Sequence, residues 1–327
     1  MSIAACLREI ARGRDGARPL SREQACGLMT DLLHGRVTDL ELGAFCVAMR
    51  VKGETPQELA GFLDAIHATM RRVPGGVTPT VVLPSYNGAR RLPVLTPLLA
   101  LMLAQRGCRV IVHGQTDDPA GRLTSHAVLH AIKERGVDVE FAATPEAVAD
   151  RAGVVWLATR QLLPGLQRVL DARRVLGLRN TAHSLVKLMQ PVEGALLVSS
   201  YTHPEYLHST AAVLHMLGCW AMLLRGTEGE PVADPRRLPR IDAFEAGRHR
   251  LLCEAETGSL AQAPDLPDGR NLGATVDYTL RLLHDITPCP APLRRQAEWI
   301  LELLARQAAR RNPQPAIQEN LNEELTP

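Results

Sequence analysis

From residue 80 onward, five short runs of mostly aliphatic and β-branched residues, at 81–83, 110–112, 154–157, 196–198 and 222–224, alternate with segments of helical composition. Short continuous apolar runs suit strands buried on both faces, and strands separated by helices pair in parallel because each crossover must carry the chain back to the same edge. The pattern predicts an α/β fold with a mainly parallel sheet covered by helices. Ligands of such sheets sit beyond the carboxyl ends of the strands. The residues that fall there are Pro84-Ser85-Tyr86-Asn87-Gly88, His113-Gly114-Gln115, Ala158-Thr159-Arg160, Ser199-Ser200-Tyr201 and Arg225-Gly226-Thr227-Glu228-Gly229-Glu230.

The first seventy residues follow a different rule. Ser21 with Gln24, Thr38 with Glu41, and Thr55-Pro56 with Glu58 each place a side-chain oxygen at a helix cap and an amide or carboxylate three residues on. That spacing satisfies the orphan N–H groups of a first turn, so three helices are predicted to start there. In the third, Leu59, Phe62, Leu63, Ile66 and Met70 form one apolar stripe, open to reading as domain core or as a subunit interface. The chain divides into a helical domain at 1–75, the candidate for dimerisation, and an α/β domain at 76–327 with an irregular C-terminal extension. Beyond about residue 227 it is rich in proline (Pro231, Pro235, Pro239), then offers helices near 274–284 and 293–310 and a polar tail from Asn312.

With 46% apolar and 22% charged residues, the 327-residue chain has the composition of a folded globular protein. No stretch of eighteen apolar residues occurs, and Arg8, Glu9, Arg12 and Arg14 interrupt any apolar signal core, so neither membrane insertion nor export is expected. Seven scattered cysteines without a Cys-x-x-Cys pair read as reduced thiols in a cytoplasmic protein, not as a zinc site. Only 3% of residues are aromatic, which argues against nucleic-acid binding by base stacking. The net charge of +2 identifies no anionic partner by itself, so the distribution of charge must carry that argument. Between residues 151 and 191, Arg151, Arg160, Arg168, Arg173, Arg174, Arg179 and Lys187 face a single acid, Asp171; acids such as Glu319, Glu323 and Glu324 lie at the other end of the chain. Lining one groove with Arg90, Arg91, Arg106, Arg109 and Arg225, these groups would neutralise several phosphates and release counterions. Dispersed over a solvated helix face, they would not.

Residues 84–91, followed by Thr96-Pro97 at the head of an apolar helix, form a strand, turn and helix N-terminus of the kind that favours anions. The loop matches neither Gly-x-Gly-x-x-Gly nor a Walker sequence. His113 and His183 read either as a general base or substrate contacts, or as hydrogen-bonded structural residues. Lys187 lies in an apolar run, where a lysine snorkels or serves as a pocket cation. Ser200-Tyr201-Thr202-His203 lacks the frame of a nucleophile elbow.

Over residues 1–230 the order of motifs resembles the anthranilate phosphoribosyltransferase family. There the first strand leads into Gly-Thr-Gly-Gly-Asp, which holds pyrophosphate, then Asn-x-Ser-Thr, Lys-His-Gly-Asn, Gly-x-Arg and an acidic pair for magnesium. Here residues 84–88 stand at the glycine motif, Val94-Leu95-Thr96-Pro97 at the second and Val112-His113-Gly114-Gln115 at the third, while Gly177-Leu178-Arg179 fits the fourth. Pro84 removes a donor, Tyr86 and Asn87 fill space that glycines would leave, and Val112 removes a cation. Pro-Ser-Tyr-Asn-Gly-Ala-Arg (84–90), Val-His-Gly (112–114), Arg-Asn-x-Ala-His-x-Leu-x-Lys-Leu (179–188), Ser-x-x-His-Pro-Glu-Tyr (200–206) and Gly-Thr-Glu-Gly-Glu (226–230) are similar to the YbiB-like branch of that family. The resemblance implies a homodimer without anthranilate activity or cofactor that binds DNA or RNA with little sequence preference. It assigns phosphate contacts to Arg90, Arg91, Arg160, Arg168, Arg173, Arg174, Arg179, Lys187 and Arg225. Its remnant pocket comprises Ser85, Tyr86, Asn87, Gly88, Thr96, His113, Gly114, Asn180 and His183. The alternative is an active phosphoribosyltransferase, of tryptophan biosynthesis or with another nitrogen acceptor. It would use phosphoribosyl pyrophosphate and magnesium, with His113, Arg179 and Lys187 in catalysis and Thr96, Glu228 and Glu230 at the metal.

Overall fold

The computed structural model describes residues 3–13, 15–259 and 264–311, so Arg14, the tail from Asn312 and its three glutamates lie outside the described residues. The N-terminal segment folds as α1 (Ala4–Ile10), α2 (Arg22–Leu33), α3 (Asp39–Lys52) and α4 (Pro56–Thr69). All three predicted capping boxes form: the hydroxyls of Ser21, Thr38 and Thr55 accept from the N–H of Gln24, Glu41 and Glu58, whose side chains accept in return from the cap N–H. The α4 stripe of Leu59, Phe62, Leu63, Ile66 and Met70 is buried inside the chain, which settles it as core.

The sheet and its cover follow as β1 (Thr80–Ser85), α5 (Thr96–Gln105), β2 (Arg109–Gly114), α6 (Ser125–Glu134), β3 (Val139–Phe141), β4 (Gly153–Ala158), α7 (Thr159–Leu162), α8 (Pro164–Leu176), α9 (Ala182–Leu185), β5 (Leu196–Tyr201), α10 (Glu205–Met216), β6 (Ala221–Arg225), β7 (Ile241–Glu245), β8 (Arg248–Cys253), α11 (Leu272–Leu283) and α12 (Ala291–Arg311). Strand order is β3-β4-β2-β1-β5-β6-β7-β8, with β1 to β6 parallel and β7 and β8 antiparallel. The five strands expected from sequence are all present. The region beyond 227, expected to be irregular, instead supplies the β7–β8 hairpin, turning through Ala246 and Gly247 at positive φ. Asp242 near its start and the basic run Arg248-His249-Arg250 opening β8 hide this hairpin from a hydrophobicity pattern.

Because side chains alternate along a strand, each strand feeds two cores. Val82, Ile111, Val155, Leu197 and Leu223 face the helical bundle with α8 and α10, whereas Val81, Val110, Val154, Leu196 and Met222 face α5, α6, α11 and α12. The bundle therefore shares one continuous core with the sheet. Helix α8 seals it: a Cβ at Gly165 would sit 2.0 Å from the Leu33 carbonyl, so only glycine lets α8 start against the end of α2. All seven cysteines are free, and among the described residues no helix is long and apolar enough to cross a membrane.

Candidate functional site

The strand order reverses at β1: the chain runs through β2 and β4 on one side and returns to β5 on the other. Loops diverge at such a switch point and leave a crevice beyond the carboxyl ends. Three segments meet there: residues 84–91 after β1, 115–124 after β2 and 226–230 after β6.

The last is a tight turn. Glu230 N–H donates to the Thr227 carbonyl (3.0 Å), and Glu228 and Gly229 both have positive φ, +52° and +89°. A glutamate in the left-handed region is strained, by an order of 1–3 kcal/mol. The turn aims both carboxylates at the loop after β1. Buried Glu230 accepts through Oε1 from the N–H of Asn87 (2.7 Å) and Gly88 (3.0 Å), and through Oε2 from the hydroxyls of Ser85 and Thr96 (3.1 Å to the latter). Glu228 accepts from the N–H of Arg90 and Arg91 (3.0 Å to the latter). In return Asn87 Nδ2 donates to the Glu228 carbonyl (3.0 Å), and Lys187 Nζ and Ser200 Oγ both donate to the Gly229 carbonyl (2.9 Å). Loop 84–91 thus has the donors of an anion site, and the chain's own carboxylates fill them. Of the expected metal set, Thr96 and Glu230 come together while Glu228 is spent on backbone N–H groups. Among the described residues no group of three His, Cys, Asp or Glu side chains is arranged to hold a metal.

Beside this turn lies a cationic cluster. Asp118, in the loop after β2, is held by Arg173 Nη1 (3.4 Å) and Arg122 Nε (3.8 Å), and Arg122 Nη1 donates to the Asn87 carbonyl (3.2 Å). Gly177, in the left-handed conformation, ends α8 and turns the chain so that Arg179 joins the group. Burial, then the positive charges of Arg173, Arg122 and Arg90, push Arg179 down to about 10. Burial holds Lys187 at about 8, with Glu230 pulling it up and Arg179 pushing it down.

Four of the nine expected phosphate contacts, Arg90, Arg173, Arg179 and Lys187, converge in this way. The others correct the expectation of one arginine-lined groove. Arg168 is bound to Asp39 on α3 (2.7 Å), Arg174 to Asp117 (2.8 Å) and Asp171, and Arg160 lies beside His126. Arg225 ends β6 next to Tyr201, and Arg91 gives its N–H to Glu228. At about 100° per residue, positions 168 and 173 on one helix point to different sides, which sequence proximity conceals. Arg151 pairs with Asp138 and Glu140, and Arg109, only 1% exposed, donates to Thr80 at the amino ends of the central strands, away from the loops of the site. Arg122 and Asp118 escaped sequence reading. Their signal was their place in a loop at a strand's carboxyl end, beyond the His113-Gly114-Gln115 triplet.

The histidines are neutral and structural in their contacts. His113 is fully buried, Nδ1 lies 2.9 Å from the Tyr86 hydroxyl, and burial pushes its pKa down to about 4. The same Tyr86 hydroxyl meets Thr159, which donates to the Gly114 carbonyl. His183 binds back to Asn180 and is held at about 3 by burial, then by Arg179 and Arg173. Asn180 Nδ2 ties the α9 turn to the Val169 carbonyl (2.6 Å).

Residues 5–70 match the helical bundle domain of the glycosyl transferase family. The uncharacterised protein YbiB of Escherichia coli K12 is 36% identical over 301 residues, 90% of this chain and 92% of that protein. The anthranilate phosphoribosyltransferase structure from Thermus thermophilus superposes with a TM-score of 0.67 at 24% identity, covering 93% of this chain and 95% of the other. The Saccharomyces cerevisiae enzyme, in complex with PRPP and Mg, gives 0.62 at 14%, covering 94% and 88%. Bundle, sheet and switch-point loop together define an α/β protein of anthranilate phosphoribosyltransferase architecture. The chain belongs to the YbiB-like branch of the anthranilate phosphoribosyltransferase family, within glycosyl transferase family 3.

Proposed function

We propose that the protein is a dimeric, catalytically degenerate member of this family that binds DNA or RNA through phosphate contacts and with little base preference. The observation that carries this reading is the pairing of a filled loop with a cationic cluster: Glu230 takes the N–H groups a pyrophosphate would need, while Arg122, Arg173 and Arg179 gather around Asp118 and Lys187 lies beside Glu230. With Pro84 lacking a donor and Tyr86 and Asn87 bulky, the loop does not fit phosphoribosyl pyrophosphate in this arrangement. Guanidinium groups neutralise backbone phosphates irrespective of sequence.

For assembly, α3 shows solvent a stripe of Leu40, Ala44, Val47 and Val51 at helical spacing, a self-complementary face for a second copy. Two copies of one modest cluster raise avidity without new contacts. The test is anisotropy with DNA and RNA over a salt series. The expected log–log slope is negative, with each phosphate contact contributing about −0.9 on duplex DNA or about −0.7 on single strands. The double variant R122Q/R173Q should flatten it for every sequence alike. Binding that ignores salt, or none at low salt, overturns the reading. The enzyme alternative is favoured by Thr96 beside Glu230 and by the yeast neighbour's PRPP and Mg. Calorimetry with both, showing micromolar binding and turnover, would establish it instead.

A further inference from the structure

The cationic cluster holds more charge than its own acids neutralise. Asp118 (4% exposed side chain) is enclosed between Arg122 (12%) and Arg173 (17%). Arg179 Nη2 is buried with no hydrogen-bond partner, a costly state for a guanidinium N–H and one that an anion would relieve. Arg90 stands exposed at the open side. With Lys187 these are five cations beside three carboxylates, Asp118, Glu228 and Glu230, an excess of positive charge. Arg174, held by Asp117 and Asp171, forms a separate surface group screened by solvent. The depressed pKa of Arg179 has the same origin, since burial and three neighbouring guanidinium groups act on it together.

We propose that this cluster is a site for a phosphomonoester dianion, the terminal phosphate of a nucleic-acid strand, with Arg122 and Arg179 as its binding residues. The inference rests on the nucleic-acid reading above and deepens it. An internal phosphodiester carries one charge and is tethered on both sides, so it needs a groove open at both ends. A terminal phosphate carries close to two charges at neutral pH and is tethered once. It can approach beside exposed Arg90 and end against the Arg122–Asp118–Arg173 group, where it meets the excess of positive charge. The arginine fork binds such a group through paired N–H donors, which a lysine cannot reproduce. Glu228 and Glu230 do not compete, because their oxygens are engaged by loop 84–91.

The experiment is fluorescence anisotropy at constant salt, using one single-stranded oligonucleotide in three forms: 5′-phosphorylated, 3′-phosphorylated and hydroxyl at both ends. One phosphorylated form should bind about ten- to hundredfold tighter than the hydroxyl form, the equivalent of one added charge-assisted interaction. R122Q, R179Q and the charge-conserving R122K should lose that preference, while R135Q, an exposed arginine just past the end of α6, should keep it. Unchanged circular dichroism keeps loss of fold from imitating the result. Equal affinity for all three forms, with salt-dependent binding intact, overturns the end site and leaves nucleic-acid binding standing. If no oligonucleotide binds but inorganic phosphate raises the thermal midpoint of wild type and not of R179Q, the dianion site stands and the nucleic-acid reading falls. If neither responds, both are overturned.

Discussion

Replacing Glu230 by alanine tests whether the chain fills its own anion loop. The substitution strips the acceptor from the N–H groups of Asn87 and Gly88, both buried, and from the Ser85 and Thr96 hydroxyls. The hydroxyls can reorient, Ser85 toward Ser125 Oγ at 2.7 Å, but the backbone donors cannot. Each unmade buried N–H costs about 1–3 kcal/mol, so two cost about 2–6 kcal/mol. An unfolding entropy of about 2.1 cal/mol/K per residue gives roughly 0.7 kcal/mol/K for this chain, so E230A should melt about 3–9 °C below wild type. E230Q keeps an oxygen for the two N–H groups and turns an amide toward hydroxyls that can accept. It loses only charge assistance, about 1 kcal/mol or 1–2 °C. Calorimetry with and without inorganic pyrophosphate completes the test. E230A exposes an empty cradle, so pyrophosphate at a hundredfold over its Kd should restore about 2.7 kcal/mol, near 4 °C, to the variant and much less to wild type. A melting point for E230A within 1 °C of wild type, or equal stabilisation of both proteins by pyrophosphate, would show that Glu230 does not occupy an anion cradle.

Glu58 joins three segments of the bundle, accepting from Leu20 N–H (2.9 Å), Thr55 N–H (2.9 Å) and Lys52 Nζ (2.6 Å) while fully buried. Because E58A strands the Lys52 ammonium, it should cost about 3–5 kcal/mol in urea unfolding, and a loss below about 1 kcal/mol would refute the account. Light scattering at micromolar concentration should show a dimer for wild type and a monomer for V47E, whereas an unaltered dimer would place the interface elsewhere. His113 stays neutral down to about pH 4, but its unfolded counterpart takes up a proton near 6.5. The unfolded state therefore binds more protons between these values and stability falls as pH drops through that window, by roughly 2 kcal/mol at pH 5 from this group. H113N should show a shallower loss of thermal midpoint between pH 7 and 5 than wild type; parallel curves would contradict the assignment.

The helix starts at Ser21, Thr38 and Thr55 were legible because a cap and its reciprocal partner lie three residues apart, and so were the five parallel strands, whose burial on both faces forces a continuous apolar run. Strand β3 is three residues long and β7 carries Asp242 at its second position, so neither leaves a periodic trace. The same division runs through the site. Strand ends announced loop 84–91 and turn 226–230, but the contact that makes Glu230 the loop's occupant spans more than 140 positions, and its effect depends on which acid reaches which donor. Likewise the run of positive charge at 151–191 was visible, yet helix α8 sends Arg168 to Asp39 and Arg173 to Asp118, splitting the run between two faces. Local hydrogen bonds and side-chain periodicity are written between neighbours, and they made the capped helices, the five long parallel strands and the family resemblance readable before any fold was known. Electrostatics acts between groups that only packing brings within a few ångströms, so it is the folded arrangement that closes this loop on its own glutamate and gathers Arg122, Arg173 and Arg179 around Asp118.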